Sequence, residues 1–304
     1  MSLESILRQF RYVRRLEREN ARLREEAGEW RRFSPPGHFY SPLPSAAEVE
    51  EAYARGGFGP PFAGIDLRED AQRQLLEQLA DYYAAQPFPE KPVPGRRYYL
   101  ENPSYGHFDG LMLYGMLRHL APRRVIEVGS GFSSAAMLDI NEHVLGGKMQ
   151  LTFIDPDMAR LRPLLHGGDS ARVRLIEKRV QEVPLEVFAE LGDGDVLFID
   201  SSHVSKIGSD VNRLYFDVLP ALARGVHIHI HDVAGNLEYP REWYAEGRAW
   251  NEQYLLRALL MFNQTLQIEL FTGWLFNHQQ AFFRERMPLC LRGGGGQIWL
   301  HKVA

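Results

Sequence analysis

The chain has 304 residues, of which 45% are hydrophobic and 24% are charged, and its formal net charge is −4. This composition is that of a globular protein with a sizeable core, and it provides no overall basic charge for binding nucleic acid or an anionic membrane. Cys290 is the only cysteine, which excludes an intrachain disulfide or a zinc site built from thiolates. The first residues lack the apolar core of a signal peptide, and no apolar run approaches the ~18 residues of a membrane span, so we expect a cytoplasmic protein.

Residues 1–33 are predicted to form an amphipathic helix rich in Leu, Arg and Glu. Two interpretations of this helix stay open. It either lies against a folded domain, or it pairs with a second copy as a coiled coil, in which Asn20 sets the register between Leu16 and Leu23. The second interpretation predicts a homo-oligomer. Residues 34–97 are predicted to be a Pro- and Gly-rich linker that carries helical segments over 46–54 and 67–86.

The third predicted domain covers residues 98–304, where apolar, β-rich runs alternate with helical segments. A loop over 98–107 and a helix over 108–120 come first. Strands are then predicted at 125–128, 151–155, 172–177, 195–200 and 226–231. Helices are predicted between and after them, at 132–143, 157–166, 183–191, 207–223 and 249–263. This alternation is typical of a parallel sheet with helices on both faces.

The end of the chain departs from this alternation. Two more strands are predicted at 266–271 and 297–303, with no clear helix between them. They indicate a terminal antiparallel pair added to five parallel strands. The predicted fold class is therefore α/β, a Rossmann-like, doubly wound sheet of seven strands with an N-terminal helical extension.

The turn after the first strand has the features of an adenosine-cofactor site. It is tight, and it leads directly into a helix whose free N–H groups can face a ligand. Asp155 ends the next strand, where a carboxylate can accept both ribose hydroxyls of NAD or of S-adenosylmethionine, or can instead cap the following helix. Glu127 can bind the cofactor's amino group or organise the turn. The candidate cofactor-binding residues are Glu127, Gly129, Ser130, Gly131, Ser133 and Asp155.

Acids and histidines follow the fourth and fifth strands. Asp200 and Asp232 are expected to lie close together, because the carboxyl ends of adjacent parallel strands share one edge of the sheet. Such a pair is unfavourable unless a proton or a cation lies between the carboxylates, and a divalent cation suits them. His203 can take a proton from a substrate hydroxyl, whose pKa a metal lowers. Alternatively, Asp200 caps a helix and His203 is a hydrogen-bonded structural histidine.

These stretches resemble a known family. The motifs IEVGSGFSS and LTFIDPD are similar to the first two motifs of class I S-adenosylmethionine-dependent methyltransferases. The segment that begins DVLFIDSSHVSKIGSDVNRLYFDVLPAL and continues through GVHIHIHDV and EYPREW resembles a narrower bacterial branch. That branch contains the macrocin-type sugar O-methyltransferases and the cephalosporin-hydroxylase-like proteins. The resemblance covers residues 98–303.

The resemblance implies roles for individual residues. In the metal-dependent members of that branch, an Asp at the end of the fourth strand binds magnesium, and a His three residues later is the base. An acidic pair after the fifth strand completes the metal site. Asp200, His203 and Asp232 match this pattern, whereas His231 stands where the branch has an acid. The implied metal ligands are Asp200, His231 and Asp232, and the histidine leaves open weaker binding, a softer ion than Mg²⁺, or no metal.

The sequence therefore predicts an enzyme that methylates a hydroxyl of a sugar or a natural-product-like small molecule, with His203 and Asp200 as catalytic residues. S-adenosylmethionine is the expected cofactor, with Mg²⁺ or another divalent cation. One alternative is an oxidoreductase or hydroxylase on the same fold, although the turn lacks the third glycine of the dinucleotide fingerprint. Another is a non-catalytic cofactor-binding protein that assembles through its N-terminal helix. Neither nucleic acid nor a membrane is expected as a partner.

Overall fold

The computed structural model describes residues 14–22, 33–55 and 62–304. They fall into two compact units, Met1–Gly56 and Gly57–Ala304. In the first unit, helix α1 covers residues 14–22 and helix α2 covers Ala46–Ala54. The Ser45 hydroxyl accepts the Glu48 N–H, and the Glu48 carboxylate accepts the Ser45 N–H, which gives α2 a capping box. Phe33, the last residue of the predicted 1–33 helix, lies in a bend. Beyond α1 and Phe33, the residues of that prediction, including Leu23 of the coiled-coil register, lie outside the described residues.

The second unit begins with two helices that pack on each other, α3 (Glu69–Tyr83) and α4 (His107–Leu120). α3 buries Leu76 and Leu79, and Gly115 of α4 lets the Leu79 side chain approach closely. The apolar face of α3 therefore joins it to the unit that contains the sheet, although the sequence grouped this segment with the linker. Among the described helices, none is long and apolar enough to cross a membrane.

Within the described residues, seven strands form one sheet in the order β3-β2-β1-β4-β5-β7-β6. β1 to β5 are parallel, and β7 runs antiparallel between β5 and β6. The predicted Rossmann-like fold with its terminal antiparallel pair is confirmed. The strands are β1 (Arg124–Val128), β2 (Gln150–Ile154), β3 (Arg174–Ile176), β4 (Val196–Ile199), β5 (His227–His231), β6 (Leu266–Phe271) and β7 (Gln297–Lys302).

Helices cover both faces of the sheet, as its buried apolar strands require. The described helices after β1 are α5 (Phe132–His143), α6 (Leu185–Phe188), α7 (Asp210–Arg213), α8 (Leu219–Ala221), α9 (Arg241–Ala245), α10 (Glu252–Leu260), α11 (Thr272–His278) and α12 (Gln280–Arg286). A π-helical turn, Leu214–Val218, joins α7 to α8. The strand order reverses between β1 and β4, which places a ligand site at their carboxyl ends.

Several predicted helices are wrong in extent or existence. The helix over 157–166 does not form: Pro163 lacks the N–H that a helix interior needs, and only a 3₁₀ turn, Arg162–Leu164, is present. The helix over 183–191 shrinks to α6, because Pro184 can only precede it. The helix over 207–223 begins at α7, where Ser209 caps its N-terminus. The helix over 249–263 shortens to α10.

The absence of a helix between the last two strands was also a wrong expectation. α11 and α12 lie between β6 and β7, followed by a 3₁₀ segment, Pro288–Arg292. Each of these helices has seven residues, which is about two turns and too short for a clear helical period in the sequence. They form because Trp274, Leu275 and Phe283 are buried in the core.

A buried ion network holds the segment before α4 against the sheet unit. The Arg97 side chain is 3% exposed. Its guanidinium donates to Asp169 at 2.7 and 2.8 Å, to Asp139 of α5 at 2.8 Å and to Glu142 at 2.8 Å. The backbone N–H groups of Arg97 and Tyr98 also donate to Asp139. Because α5 starts at the glycine turn, the network fixes the loop over 98–106 relative to that turn.

Replacing Arg97 with Met is expected to lower the free energy of unfolding by about 3–5 kcal/mol, because Asp139 and Asp169 then stay buried without their countercharge. Chemical denaturation measures the loss. Arg286→Met is the matched control: Arg286 binds two exposed carboxylates on α3, and its removal is expected to cost less than about 1 kcal/mol. Equal losses in the two variants would contradict the role assigned to the network.

Candidate active site

A cavity of about 980 Å³ opens at the carboxyl ends of β1, β2, β4 and β5. It lies at the edge of the sheet where ligands bind in this type of fold. The structure brings most of the sequence-predicted site residues to its wall: Gly129, Ser130, Gly131, Ser133, Asp155, Asp200, His203, His231 and Asp232. Glu127 lies behind the wall, fully buried in β1.

The glycine turn runs against the backbone that follows β4. Gly129 has φ +90°, and a Cβ built on it would lie 1.7 Å from the carbonyl oxygen of Asp200. The Asp200 N–H donates to the carbonyl of Val128 at 2.9 Å, which holds the two strand ends together. A side chain at position 129 would push the turn after β1 away from Asp200, so this contact requires glycine.

Asp155 ties the end of β2 to the glycine turn. One of its carboxylate oxygens accepts the Ser130 N–H at 2.8 Å, and the other accepts the Asp157 N–H at 2.8 Å. Each carboxylate oxygen has a second lone pair, so Asp155 keeps acceptor capacity for a ligand in the cavity. The Ser130 hydroxyl is buried, with no hydrogen-bond partner in the described part of the chain.

Glu127 is hydrogen-bonded to the first turn of α5. Its two oxygens accept from the hydroxyls of Ser133, at 2.5 Å, and Ser134. Ser134 also accepts the Gly131 N–H at 3.0 Å, which closes the turn. Burial raises the pKa of Glu127 to about 8, although the two serine hydroxyls oppose the shift. Glu127 therefore takes the position of a turn-organising residue, and its contact with a cofactor stays a prediction.

His203 is held on two sides by the start of α10. Its φ is +59°, a left-handed conformation that is rare for a side chain with a Cβ. The His203 carbonyl accepts the N–H groups of Asn251 and Glu252, at 3.0 and 3.1 Å. Its Nδ1 lies 2.8 Å from a carboxylate oxygen of Glu252, which is also buried. The Trp250 ring lies 4.4 Å from the imidazole, centroid to centroid.

With Nδ1 fixed by Glu252, the Nε2 atom of His203 faces the acids at the strand ends. It lies 3.5 Å from Asp200 and 3.3 Å from Asp232. Burial lowers the pKa of His203, but its bonds to Asp200, Asp232 and Glu252 outweigh burial and raise the pKa to about 11. The neighbouring histidines conversely hold the pKa values of Asp200 and Asp232 well below their usual range, against the effect of burial. The corner of the cavity formed by Asp200, His203 and Asp232 therefore requires positive charge, which histidine protons or a bound cation can supply.

His231 completes the corner. Its Nδ1 lies 3.5 Å from Asp200 and 3.6 Å from Asp232, and its Nε2 lies 3.5 Å from Asp109 of α4. Within the described residues, neither ring nitrogen makes a hydrogen bond. One ligand atom from each of Asp200, His231 and Asp232 lies within 4.8 Å of the others, a spacing that could hold a metal ion.

The other two histidines of β5 lie outside this cluster. His229 is fully buried and stacks on Phe198, with the ring centroids 3.8 Å apart. His227, at the opposite end of the strand, pairs with Glu269 at 2.7 Å and stacks on His301. These contacts are those of packing histidines.

An aromatic wall closes the cavity beside His203. The Arg248 guanidinium lies 4.7 Å from the Trp243 ring and 4.8 Å from the Trp250 ring. Tyr239 packs against both tryptophans. From the opposite side, the loop before α4 contributes Tyr105, whose ring lies 5.0 Å from that of His231. The segment over 234–250 thus packs around the site.

The sequence did not indicate Glu252 as a residue of the site, and it did not predict that Asp109 lies beside His231. Glu252 was not singled out, because it contacts a histidine 49 positions away in the chain. Asp109 lies 122 positions before His231, which the numbering gives as 231 − 109. Neither pair follows a spacing rule. The available signal was the irregular, aromatic segment over 234–250, which ends just before Glu252.

Part of the chain matches a known family of protein domains. A family model described as a methyltransferase domain matches residues 126–233. Over 165 residues the chain is 34% identical to an uncharacterised protein of Archaeoglobus fulgidus. That match spans 52% of this chain and 73% of the relative.

Solved structures with a similar arrangement include methyltransferases. A structure of CmcI with Mg and SAM has 18% identity and a TM-score of 0.40, over 74% of this chain and 84% of that one. PaMTH1 of Podospora anserina, a methyltransferase bound to SAH, has 16% identity and a TM-score of 0.43, over 85% and 96% of the two chains. The O-methyltransferase TomG of Streptomyces achromogenes, involved in tomaymycin synthesis, has 14% identity and a TM-score of 0.40, over 76% and 90%.

Gly129→Ala is expected to lower the free energy of unfolding by at least about 1–3 kcal/mol, because the added methyl group overlaps the Asp200 carbonyl. Gly147→Ala is the matched control. Gly147 also has a positive φ, +74°, but nothing lies within 4 Å of its Cβ position, so it carries only the backbone strain. Denaturation of both variants measures the difference. If Gly129→Ala is no less stable than Gly147→Ala, the close approach to Asp200 is not what requires glycine.

Proposed function

Because the chain belongs to the class I S-adenosylmethionine-dependent methyltransferase family, we propose that it methylates a hydroxyl of a small molecule, with His203 as the base. The observation that carries this proposal is the placement of His203. Its Nδ1 is held by buried Glu252, while its Nε2 faces a cavity that also contains the glycine turn. The acceptor is a sugar or a natural-product-like molecule.

The chain's residues fit S-adenosylmethionine. Gly129 and Gly131 bring backbone, without side chains, to the cavity wall, and Asp155 keeps lone pairs for the two ribose hydroxyls. The orphaned Ser130 hydroxyl is a further polar group that a ligand can satisfy. When bound, the cofactor supplies an electrophilic methyl group. The contribution of the turn is to orient it, and Glu127 keeps the turn in shape through Ser133 and Ser134.

Asp200, His231 and Asp232 would hold a divalent ion. They fit such an ion because His231 is buried with both ring nitrogens lacking a hydrogen bond, directly beside two carboxylates. When bound, the ion would orient the acceptor hydroxyl and lower its pKa. Asp200 therefore serves both as a ligand and as a neighbour of the base, since its carboxylate lies 3.5 Å from His203 Nε2.

His203 takes the proton of the acceptor hydroxyl at Nε2. In the metal-free site the surrounding acids keep His203 protonated at neutral pH, because they raise its pKa to about 11. A cation on Asp200 and Asp232 would oppose this effect of the two acids and lower the pKa of His203. The neutral imidazole, held through Nδ1 by Glu252, would then direct its Nε2 lone pair at the cavity. Trp250 packs on the imidazole and limits its rotation. The same tryptophan lines the cavity together with Arg248, and the acceptor would lie against these two side chains. Most of the rate enhancement comes from holding the two reactants in line, and the base adds ~10²–10⁴-fold.

His203→Ala is expected to lower methyl transfer by roughly 10²–10⁴-fold, while the affinity for S-adenosylhomocysteine stays within about twofold. The acceptor is first identified by screening sugars and hydroxylated natural products for a methyl-derived mass shift, and calorimetry measures the affinity. His227→Ala is the control, because His227 lies at the far end of β5 with its own carboxylate partner. Unchanged turnover in His203→Ala would remove His203 from the mechanism.

Glu252→Gln is expected to lower kcat by roughly 10²–10⁴-fold with little change in KM, because an amide can stabilise the wrong tautomer of His203. The measurement is steady-state kinetics with the acceptor found in the screen. Glu238→Gln is a matched control at an exposed carboxylate of the segment before α10 that contacts Tyr254 rather than His203. A rise in KM alone would assign Glu252 to acceptor binding instead of to positioning the base.

A further inference from the structure

His231 is the residue at which this site departs from an all-carboxylate cluster. Its side chain is 6% exposed, and its Nδ1 faces one oxygen of Asp200 and one of Asp232, at 3.5 and 3.6 Å. Both contacts are too long for good hydrogen bonds, and no bond to Nδ1 or Nε2 exists within the described residues. A buried imidazole nitrogen that lies beside two carboxylates and makes no hydrogen bond can serve as a ligand atom for a metal cation.

The opposite side of the imidazole, at Nε2, faces a carboxylate that is itself held by hydrogen bonds. Nε2 lies 3.5 Å from one oxygen of Asp109, in the first turn of α4. The other oxygen of Asp109 accepts from the Gln297 side chain at 3.1 Å, and the Asp109 carbonyl accepts from the same amide at 3.0 Å. The Gln297 oxygen in turn accepts from Trp299 at 3.1 Å. Gly295 allows this packing, since a Cβ there would lie 2.2 Å from Asp109.

Metal-bound histidines typically have a carboxylate beside the ring nitrogen that does not bind the metal, as His231 has here. A ligating histidine presents one nitrogen to the ion and donates the other N–H to a carboxylate, which orients the ring and raises its basicity. Here Asp109, which is held by Gln297, is the carboxylate beside Nε2, at 3.5 Å, so it faces the N–H without a good hydrogen bond to it. Asp200 and Asp232 are the neighbouring oxygen ligands. An ion held by one imidazole nitrogen and two carboxylates has a mixed nitrogen and oxygen environment.

We propose that this corner selects a first-row transition-metal ion over Mg²⁺, with His231 Nδ1 as a ligand and Asp109 as its positioning residue. Mg²⁺ prefers oxygen ligands in a near-ideal octahedron, whereas imidazole suits ions such as Fe²⁺, Co²⁺, Ni²⁺ and Zn²⁺. The inference rests on the metal site of the proposed function and adds the class of ion. The residue at position 231 determines which ion is preferred, because the two carboxylates suit both Mg²⁺ and transition-metal ions.

The test titrates the full, metal-stripped chain separately with Mg²⁺ and Co²⁺ by calorimetry. Co²⁺ is expected to bind at least roughly 100-fold more tightly than Mg²⁺. In His231→Glu this ratio is expected to fall at least roughly tenfold, because an oxygen ligand replaces the imidazole. His227→Gln, a change at another histidine of β5, is the control and leaves both affinities unchanged. A ratio that does not move in His231→Glu overturns the proposal.

Spectroscopy identifies the ligand directly. In the Mn²⁺-loaded protein, electron spin echo modulation from an imidazole ¹⁴N is expected to be lost in His231→Glu and kept in His203→Gln. The reverse pattern overturns the proposal, because it makes His203 the ligand. Asp109→Asn is expected to weaken Co²⁺ binding by about 10–100-fold in a protein whose thermal unfolding midpoint matches the wild type. Unchanged Co²⁺ affinity in that variant overturns the role of Asp109.

The outcomes separate this inference from the proposed function. If neither Mg²⁺ nor Co²⁺ binds, the metal site fails, and the inference fails with it. If both ions bind but position 231 does not set their ratio, only the inference fails. If Co²⁺ binds as expected and no hydroxylated acceptor is methylated, the ion selectivity stands and the proposed methyl transfer fails.

Discussion

The cavity depends on one backbone contact, the passage of Gly129 against the carbonyl of Asp200. The turn after β1 belongs to the half of the site that suits the cofactor, and the segment after β4 begins the half with the acids and histidines. A Cβ at position 129 would lie 1.7 Å from that carbonyl, so the two halves meet only because glycine occupies the turn. The contact brings the residues proposed to hold the methyl donor and the proposed base to the wall of one cavity, which proximity in catalysis requires.

Charge balance is the second constraint on the site. Asp200, Asp232 and Glu252 surround His203, and Asp109 adds a fourth acid next to His231. So much negative charge in a desolvated corner is unstable without protons or a cation. The backbone is strained there as well, since both His203 and Asp232 have a positive φ. Strain of this kind persists where the surrounding structure over-determines it, and it clusters at functional sites.

The segments that precede the sheet also contribute to the site. Arg97 and Tyr98 are tied to Asp139 of α5, and the Tyr98 hydroxyl donates to the carbonyl of Tyr105 at 2.6 Å. These bonds hold the loop that places Tyr105 against His231 and leads into the helix that carries Asp109. A buried ion network outside the cavity therefore helps to position Tyr105, which lines the cavity, and Asp109, which lies beside His231.

Local patterns were enough to predict the sheet and one edge of the site. Alternating apolar strands and helices indicated the parallel order, and acids and histidines at the ends of β1, β2, β4 and β5 were expected together because parallel strands end at one edge. Short elements were not predictable in this way. A proline interrupts the segment over 157–166, so the predicted helix does not form. The helices between β6 and β7 are too short for a helical period to be recognised in the sequence.

The sequence by itself therefore determined the fold class and the set of strand-end residues, since both depend on neighbours along the chain. Only the tertiary structure decided which atoms meet. It paired His203 with Glu252, directed His231 towards Asp109 on one side and two acids on the other, and turned Glu127 to the serines of α5. The pairings of His203 and His231 arise from the packing of α10 and α4 against the sheet, and no spacing along the chain encodes how distant segments pack.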